Sequence, residues 1–275
     1  MSRPFLKMNG LGNDFVVVEA RSAPFAPGVE EARAIADRGR GVGCDQIISI
    51  EPSERAEAFF RFWNSSGEEV GACGNGTRCC AWLLMEASGK DHATFETAAG
   101  LLSGRRAGDK IVSVDMGQPG LGWTDIPLVE EMDTRGIELQ VGPIDAPILH
   151  TPGCVSMGNP HVVFFLADAE TAPAAEVGPM IEHHRLFPDR VNVGFAQIKA
   201  PDRIRLKVWE RGAGLTKACG TGACAALVAA HRRGLTGRKA TLELDGGDLT
   251  IEWREQDNHV VMTGPVAVEF SGTLP

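Results

Sequence analysis

The chain has 275 residues, 43% hydrophobic and 23% charged, enough to bury one large core or two smaller ones. A formal net charge of −9 argues against a nucleic-acid partner, which would favour a basic face, and no apolar run reaches membrane-spanning length. The segment Met1 to Phe15 has no signal-peptide pattern, so the cytoplasm, where thiols stay reduced, is the expected location.

Phe15-Val16-Val17-Val18-Glu19 is an apolar, β-branched run that reads as a buried strand. Glu30 to Arg38 reads as a helix ending in Gly39-Arg40-Gly41-Val42-Gly43, whose glycines lack the spacing of a dinucleotide fingerprint. Strands are expected over Gln46–Ile50 and Phe59–Asn64. The segment Cys79-Cys80-Ala81-Trp82-Leu83-Leu84-Met85 is apolar on every face, which marks a buried helix, with Gly89 as its C-terminal cap. The stretch 118–157 holds five prolines and reads as the crossing between two halves. Beyond it come a strand over His161–Phe165, a solvated helix end at His183-His184 and a strand over Ile204–Glu210. A second all-apolar helix covers Cys224–Ala230, with Gly234 as its cap. Thr241–Leu244 and Leu249–Trp253 then form a hairpin around Asp245-Gly246-Gly247-Asp248. The pattern does not assign the tail after Gly264 to either half.

One offset organises these elements. Residues 72–76 read Ala-Cys-Gly-Asn-Gly and residues 218–222 read Ala-Cys-Gly-Thr-Gly, which sets Cys73 and Cys219 146 positions apart. Trp63 and Trp209, Gly12-Asn13 and Gly158-Asn159, and Gly100 and Gly246 share that spacing. Agreement of separate landmarks at one period is the mark of an internal repeat. The chain therefore reads as two halves of one α+β unit, with strands around a central helix and a cysteine at each helix start.

That placement suggests chemistry. The first turn of a helix has unpaired N–H groups and partial positive charge, which can lower a thiol's pKa and hold a carboxylate. The N–H groups of Gly74-Asn75 and Gly220-Thr221 are the candidates. Cys44, Cys79, Cys80, Cys154 and Cys224 read as structural, because cysteine is among the most buried residue types. Seven cysteines exclude a complete intrachain disulfide framework, and their spacing is not that of a zinc site. Trp63 and Trp209 read as core anchors. Asn13, Asn64, Asn159 and Asn192 stand at strand ends near the landmarks, where they serve either turns or a ligand. Gln46 and Asn192, and Asn64 and Glu210, occupy matched positions with different side chains, as expected if the two ends of a substrate are read differently.

Taken together, these segments resemble the diaminopimelate epimerase family. The resemblance rests on Asn9-Gly10-Leu11-Gly12-Asn13-Asp14-Phe15, Gly43-Cys44-Asp45-Gln46 and Cys73-Gly74-Asn75-Gly76-Thr77-Arg78-Cys79 in the first half. In the second it rests on Gly158-Asn159-Pro160-His161, Trp209-Glu210-Arg211-Gly212-Ala213-Gly214-Leu215-Thr216 and Ala218-Cys219-Gly220-Thr221-Gly222-Ala223-Cys224. Proline racemases also use two cysteines but typically have histidine where this chain has Asn75.

The resemblance implies two pseudo-symmetric domains, each a mixed β-sheet or barrel wrapped around a central buried helix, with the active site in the interdomain cleft. The expected bounds are 1–117 plus a returning tail 265–275, and 118–264. It implies interconversion of LL- and meso-diaminopimelate without cofactor or metal, on the route to lysine and peptidoglycan, with Cys73 and Cys219 as the acid/base pair. It implies that His161 and Glu210 tune the thiols and contact the reacting amino group, and that Gly74, Asn75, Gly220 and Thr221 hold the reacting carboxylate. Asn13, Gln46, Asn64, Asn159, Asn192, Glu210 and Arg211 would bind the remaining substrate groups. It also implies a homodimer, but the family's tyrosine at that contact is replaced here by Phe270. Two rival readings remain at this stage: a thiol hydrolase or transferase with Cys219 as nucleophile, and a two-lobed amino-acid-binding protein. The first gives no reason for the duplicated Cys73 frame, and in the second both cysteines only pack.

Overall fold

A computed structural model describes residues 3–71, 73–98 and 100–274. Ala72 of the first repeat and the outermost residues of the expected first domain lie outside them. The chain divides into two units, Met1–Asp115 with Thr263–Pro275, and Met116–Met262.

The first unit opens with β1 (Arg3–Gly10), β2 (Asn13–Glu19) and the helix α1 (Val29–Ala36). The helix is shorter than the apolar pattern predicts, because Asp37 turns its carboxylate onto the N–H groups of Gly39 and Arg40 and ends the run. Next come β3 (Gln46–Glu51), β4 (Phe59–Asn64) and β5 (Glu69–Val70). The helix α2 (Gly74–Ser88) precedes β6 (His92–Thr97), β7 (Gly100–Gly108) and β8 (Ile111–Asp115). The sheet is mixed: β2 runs parallel to β3, and β4 parallel to β6, while β1–β2, β3–β4, β6–β7 and β7–β8 are antiparallel. α2 packs against β1, β2, β6, β7 and β8, and its Cys79, Cys80, Ala81, Leu84 and Met85 are buried. Gly89 ends it with φ 69°, the left-handed conformation that glycine adopts without a Cβ clash.

The second unit begins with irregular chain and the short pair β9 (Gln140–Val141) and β10 (Leu149–His150). The proline-rich stretch expected to cross between halves belongs to this unit's own core. Its Ile126, Leu128, Ile137, Leu139 and Leu149 are buried with Phe164 and Phe195, burial that the irregular spacing of its apolar residues conceals. Then follow β11 (Gly153–Ser156), β12 (Pro160–Phe165), α3 (Ala174–Glu182), β13 (Asn192–Ala200), β14 (Arg203–Glu210) and β15 (Gly214–Thr216). The helix α4 (Gly220–Arg232) precedes β16 (Lys239–Leu244), β17 (Gly247–Trp253) and β18 (Val260–Pro265). The final strand β19 (Ala267–Leu274) pairs antiparallel with β1, so it adds to the first unit.

The pairing of the first unit recurs in the second: β12–β13 and β14–β16 are parallel, and β13–β14, β14–β15 and β16–β17 antiparallel. Register recurs as well. Phe15 opposes Gln46 and Ile47 opposes Trp63, just as His161 opposes Asn192 and Val193 opposes Trp209. α4 takes the place of α2, with Cys224 through Ala230 buried on every face. These are two copies of one mixed sheet wrapped on one helix.

Candidate active site

In the first unit, Cys73 is the N-cap of α2 and is half-buried; among the seven cysteines it alone is not buried. Its Sγ donates to Asn13 Oδ1 at 3.7 Å. Asn13 starts β2, and its amide nitrogen donates to Asp45 Oδ2 at 2.8 Å. Gln46 starts β3 opposite Asn64 at the end of β4, and its Nε2 donates to Asn64 Oδ1 at 2.9 Å. Gly74 and Asn75 form the first turn of α2, with Asn75 Oδ1 accepting from the fully buried Arg78 at 3.0 Å.

In the second unit, Cys219 is the N-cap of α4. Its Sγ accepts from the Gly222 N–H at 3.4 Å and lies 3.7 Å from Thr221 Oγ1. His161, on β12, is 1% exposed and shares a 3.0 Å hydrogen bond between Nε2 and Asn159 Oδ1. Because an amide oxygen only accepts, Nε2 carries the proton. Asn159 then turns its Nδ2 to Thr221 Oγ1 at 3.3 Å. Asn192 Nδ2 donates to the Pro160 carbonyl at 2.9 Å, and its Oδ1 accepts the Arg211 N–H at 3.0 Å. Glu210 Oε1 accepts from Thr216 Oγ1 at 2.5 Å, and the Arg211 guanidinium donates to the Asp189 carbonyl at 2.8 Å. Gly220 and Thr221 form the first turn of α4.

Each unit therefore gathers its own share of the sequence-predicted residues at the strand ends next to a cysteine-capped helix. Phe270 stands apart, on β19, with 49% exposure and its ring edge-on to Phe5.

The electrostatics correct one expectation. The helix start does not lower the Cys219 thiol: burial pushes it well above the ordinary thiol value, and Glu210 adds to that by charge and by hydrogen bonding the protonated form. The Gly222 N–H and Thr221 hydroxyl oppose this but do not win. Burial, with Arg211 nearby, pushes His161 down to about 3, so its ring is neutral at physiological pH.

Sequence reasoning missed a charged cluster behind Asn13. Asp14 accepts from Lys7 at 2.9 Å and from both terminal nitrogens of Arg38 at 2.9 Å, and Arg38 also reaches Asp45 at 2.7 Å. Lys7 also donates to the Gly43 carbonyl. Burial pulls the Asp14 carboxyl up, but Arg38 and Lys7 outweigh it and hold the group far below the usual carboxylate range. Glu182, on α3, was missed as well; it is 3% exposed and accepts from Trp209 Nε1 at 2.7 Å and from the Gly212 N–H at 3.0 Å. Asp45 was visible only as part of the Gly43–Gln46 segment, and nothing in the spacing marked Glu182.

The sequence model of the diaminopimelate epimerase family matches residues 5–121 and 153–269, once on each half. The chain belongs to this family. It is 68% identical to a diaminopimelate epimerase from Phenylobacterium zucineum (strain HLK1) over 275 residues, covering 100% of this chain and 99% of the relative. It is 67% identical to the diaminopimelate epimerase of Caulobacter sp. (strain K31), covering 100% of this chain and 98% of that one. Among solved structures, a hydroxyproline epimerase from Agrobacterium vitis superposes with a TM-score of 0.70 at 16% identity, covering 99% of this chain and 91% of the other. A phenazine biosynthesis protein of the PhzF family from Bacillus anthracis gives 0.69 at 14% identity, covering 100% and 99%. At those identities the likeness concerns the fold alone, and the fold is the one this family shares. As a diaminopimelate epimerase family member the chain is an isomerase. Among the described residues, no helix is long and apolar enough to cross a membrane.

Proposed function

We propose that this chain interconverts LL- and meso-diaminopimelate by two-base proton transfer, with Cys73 and Cys219 as the acid/base pair and no cofactor or metal. The observation that supports this best is the duplication itself. Each unit caps its central buried helix with a cysteine, at the same step of the same strand order. One thiolate removes the α-proton, and one thiol delivers its own proton to the opposite face of the same carbon. The first sulfur, the thiolate, thereby becomes protonated and the second ionised, so the roles exchange with each turnover.

The carbanion's charge spreads into the α-carboxylate. There the N–H groups of Gly74-Asn75 and Gly220-Thr221 stabilise it, as amides at a helix start do. Arg211 takes the distal carboxylate bidentately, with Asn13, Gln46, Asn64, Asn159 and Asn192 reading the remaining polar groups. His161, neutral, hydrogen-bonds Asn159, and Glu210 favours the protonated form of Cys219. The substrate places the reaction on the route to lysine and peptidoglycan. The need for free thiols places the enzyme in the cytoplasm, where they stay reduced. A homodimer forms through β19, whose Val268 and Phe270 are exposed apolar side chains.

Incubation with LL-diaminopimelate in deuterium oxide tests the reading. Deuterium should enter only the α-position as the meso isomer forms, and either Cys73→Ser or Cys219→Ser should cut the rate by orders of magnitude, since a hydroxyl is far less acidic than a thiol. Near-normal turnover in either variant refutes the two-thiol scheme.

A further inference from the structure

A side-chain amide can face either way, and only its neighbours decide. For Asn13 the deciding neighbour is Asp45. Its carboxylate only accepts, so the Asn13 nitrogen must face it, and the Asn13 oxygen must face the sulfur of Cys73. Asp45 is in turn held from three sides. Oδ1 accepts from Arg38 at 2.7 Å, Oδ2 accepts the Asp14 N–H at 2.9 Å, and its own N–H donates to Asp14 Oδ1 at 3.0 Å. Arg38 is tied down by the second carboxylate, Asp14, which Lys7 also grips. The cluster joins the start of β2, the loop before β3 and the turn after α1 into one charge-assisted clamp with a neutral amide at its tip. The matched residue in the other unit, Asn159, has its oxygen on His161 instead and turns its nitrogen toward the helix start. The two asparagines thus occupy equivalent places in their sheets but present opposite ends to their cysteine-capped helices.

We propose that Asp45 is a positioning residue for Cys73: clamped by Arg38, it fixes the Asn13 amide with its oxygen on the sulfur, which favours the S–H form of Cys73 and makes its thiolate harder to form. The inference rests on the reading that Cys73 exchanges a proton with substrate. An oxygen lone pair at the sulfur stabilises the thiol and opposes the thiolate; an amide N–H there would do the reverse. Asp45 thus sets how readily Cys73 gives up its proton. Among the other titratable groups, Cys79 and Cys80 on α2 interact by charge with Cys73, Arg78 interacts with Cys79, and Asp14, Lys7 and Arg38 lie beyond Asn13. Cys79 and Cys80 are fully buried, and burial pushes both thiols up.

The test is the pH dependence of Cys73 alkylation by iodoacetamide in the intact protein, followed on the Cys73 peptide by mass spectrometry. In Asp45→Asn the new amide cannot accept at both positions. Arg38 keeps the oxygen, Asn13 faces a donor and turns over, and the alkylation midpoint should fall by about one pH unit. Removing the Asp45 charge would by itself also favour the thiolate, so the same substitution is made in an Asn13→Ala background. There the proposal expects a smaller fall, the part due to charge alone. An equal fall in both backgrounds shows Asp45 acting through space and overturns the proposal, as does an unchanged midpoint in Asp45→Asn. Should Asp45→Asn fail to fold, Asn13→Ala alone must lower the midpoint, and an unchanged value overturns the proposal. Because alkylation needs no turnover, a failure here is distinguishable from failure of the two-thiol scheme, which the deuterium experiment reads.

Discussion

Gly76 and Gly222 sit at the same step of the two repeats, third in their helices, yet a methyl group added at each meets different neighbours. At Gly76 a Cβ would lie 2.7 Å from Ile48 Cδ1, 3.1 Å from Phe62 and 3.3 Å from Phe15, all fully buried. Ile48 ends in a flexible methyl, but with two rings closing the same space it has nowhere to swing. Overpacking of this kind costs about 1–3 kcal/mol, and the better helix propensity of alanine returns about 1 kcal/mol. With three buried neighbours inside 3.4 Å the upper half of that range applies, about 2–3 kcal/mol, so Gly76→Ala should lose about 1–2 kcal/mol net, a fall in Tm of about 2–8 °C at roughly 2–4 °C per kcal/mol for a domain of this size. At Gly222 the Cβ would lie 3.1 Å from Val208, 3.2 Å from Cys219 Cβ and 3.2 Å from Cys219 Sγ. The Gly222 N–H also donates to that sulfur. Gly222→Ala should lose little stability but push the thiol by a few tenths of an ångström, and since a shift of about 1 Å at a reacting group costs about a hundredfold, kcat should fall by roughly threefold to tenfold. Thermal unfolding by circular dichroism and the solvent-deuterium assay, run on both variants, separate the two effects. A Gly76→Ala protein as stable as wild type, or a Gly222→Ala protein of normal kcat, refutes the packing argument.

Glu210→Gln removes a negative neighbour that raises the Cys219 thiol, so thiolate absorbance of Cys219 in a Cys73→Ser background should develop at lower pH; no shift would separate Glu210 from Cys219. His161 is buried neutral, with its folded value near 3 and an unperturbed value of 6.5. Between those values the unfolded chain binds the proton and the folded chain does not, so the stabilisation is complete above 6.5 and is lost as pH falls toward 3. His161→Gln should flatten the fall in Tm between pH 7.5 and 5; an unchanged slope assigns that dependence to other groups. Asp14→Asn strips the nearly buried Lys7 of its carboxylate, and breaking such a pair costs about 3 kcal/mol. Urea unfolding would show it, and a loss within error would refute the assigned role of the cluster.

Much of the architecture was legible because strand and helix periodicities repeat at one offset. The strand read at Phe59–Asn64 occurs with those bounds, and the all-apolar run after Cys219 is a helix buried on every face. Of α3 only the end was read, at His183-His184; its body was not, because Pro179 lies inside it and proline normally reads as a break. The proline-rich stretch hid its core contribution for the same reason, since Ile126, Ile137 and Leu149 follow no period. At the site, the cysteines were conspicuous because their glycine frame is duplicated. Asp45 and Asp14 were not, because their meaning lies in Lys7 and Arg38, which come from separate parts of the chain and meet only on folding. The depression expected for a thiol at a helix start failed at Cys219, because position along the chain is readable before burial is.

β19 completes the first unit from the far end of the chain, with Leu274 opposite Arg3. Without that strand β1 keeps one bare edge, so the first unit cannot be assembled from a single stretch of chain. The second unit, Met116–Met262, is one continuous stretch set between the two pieces of the first.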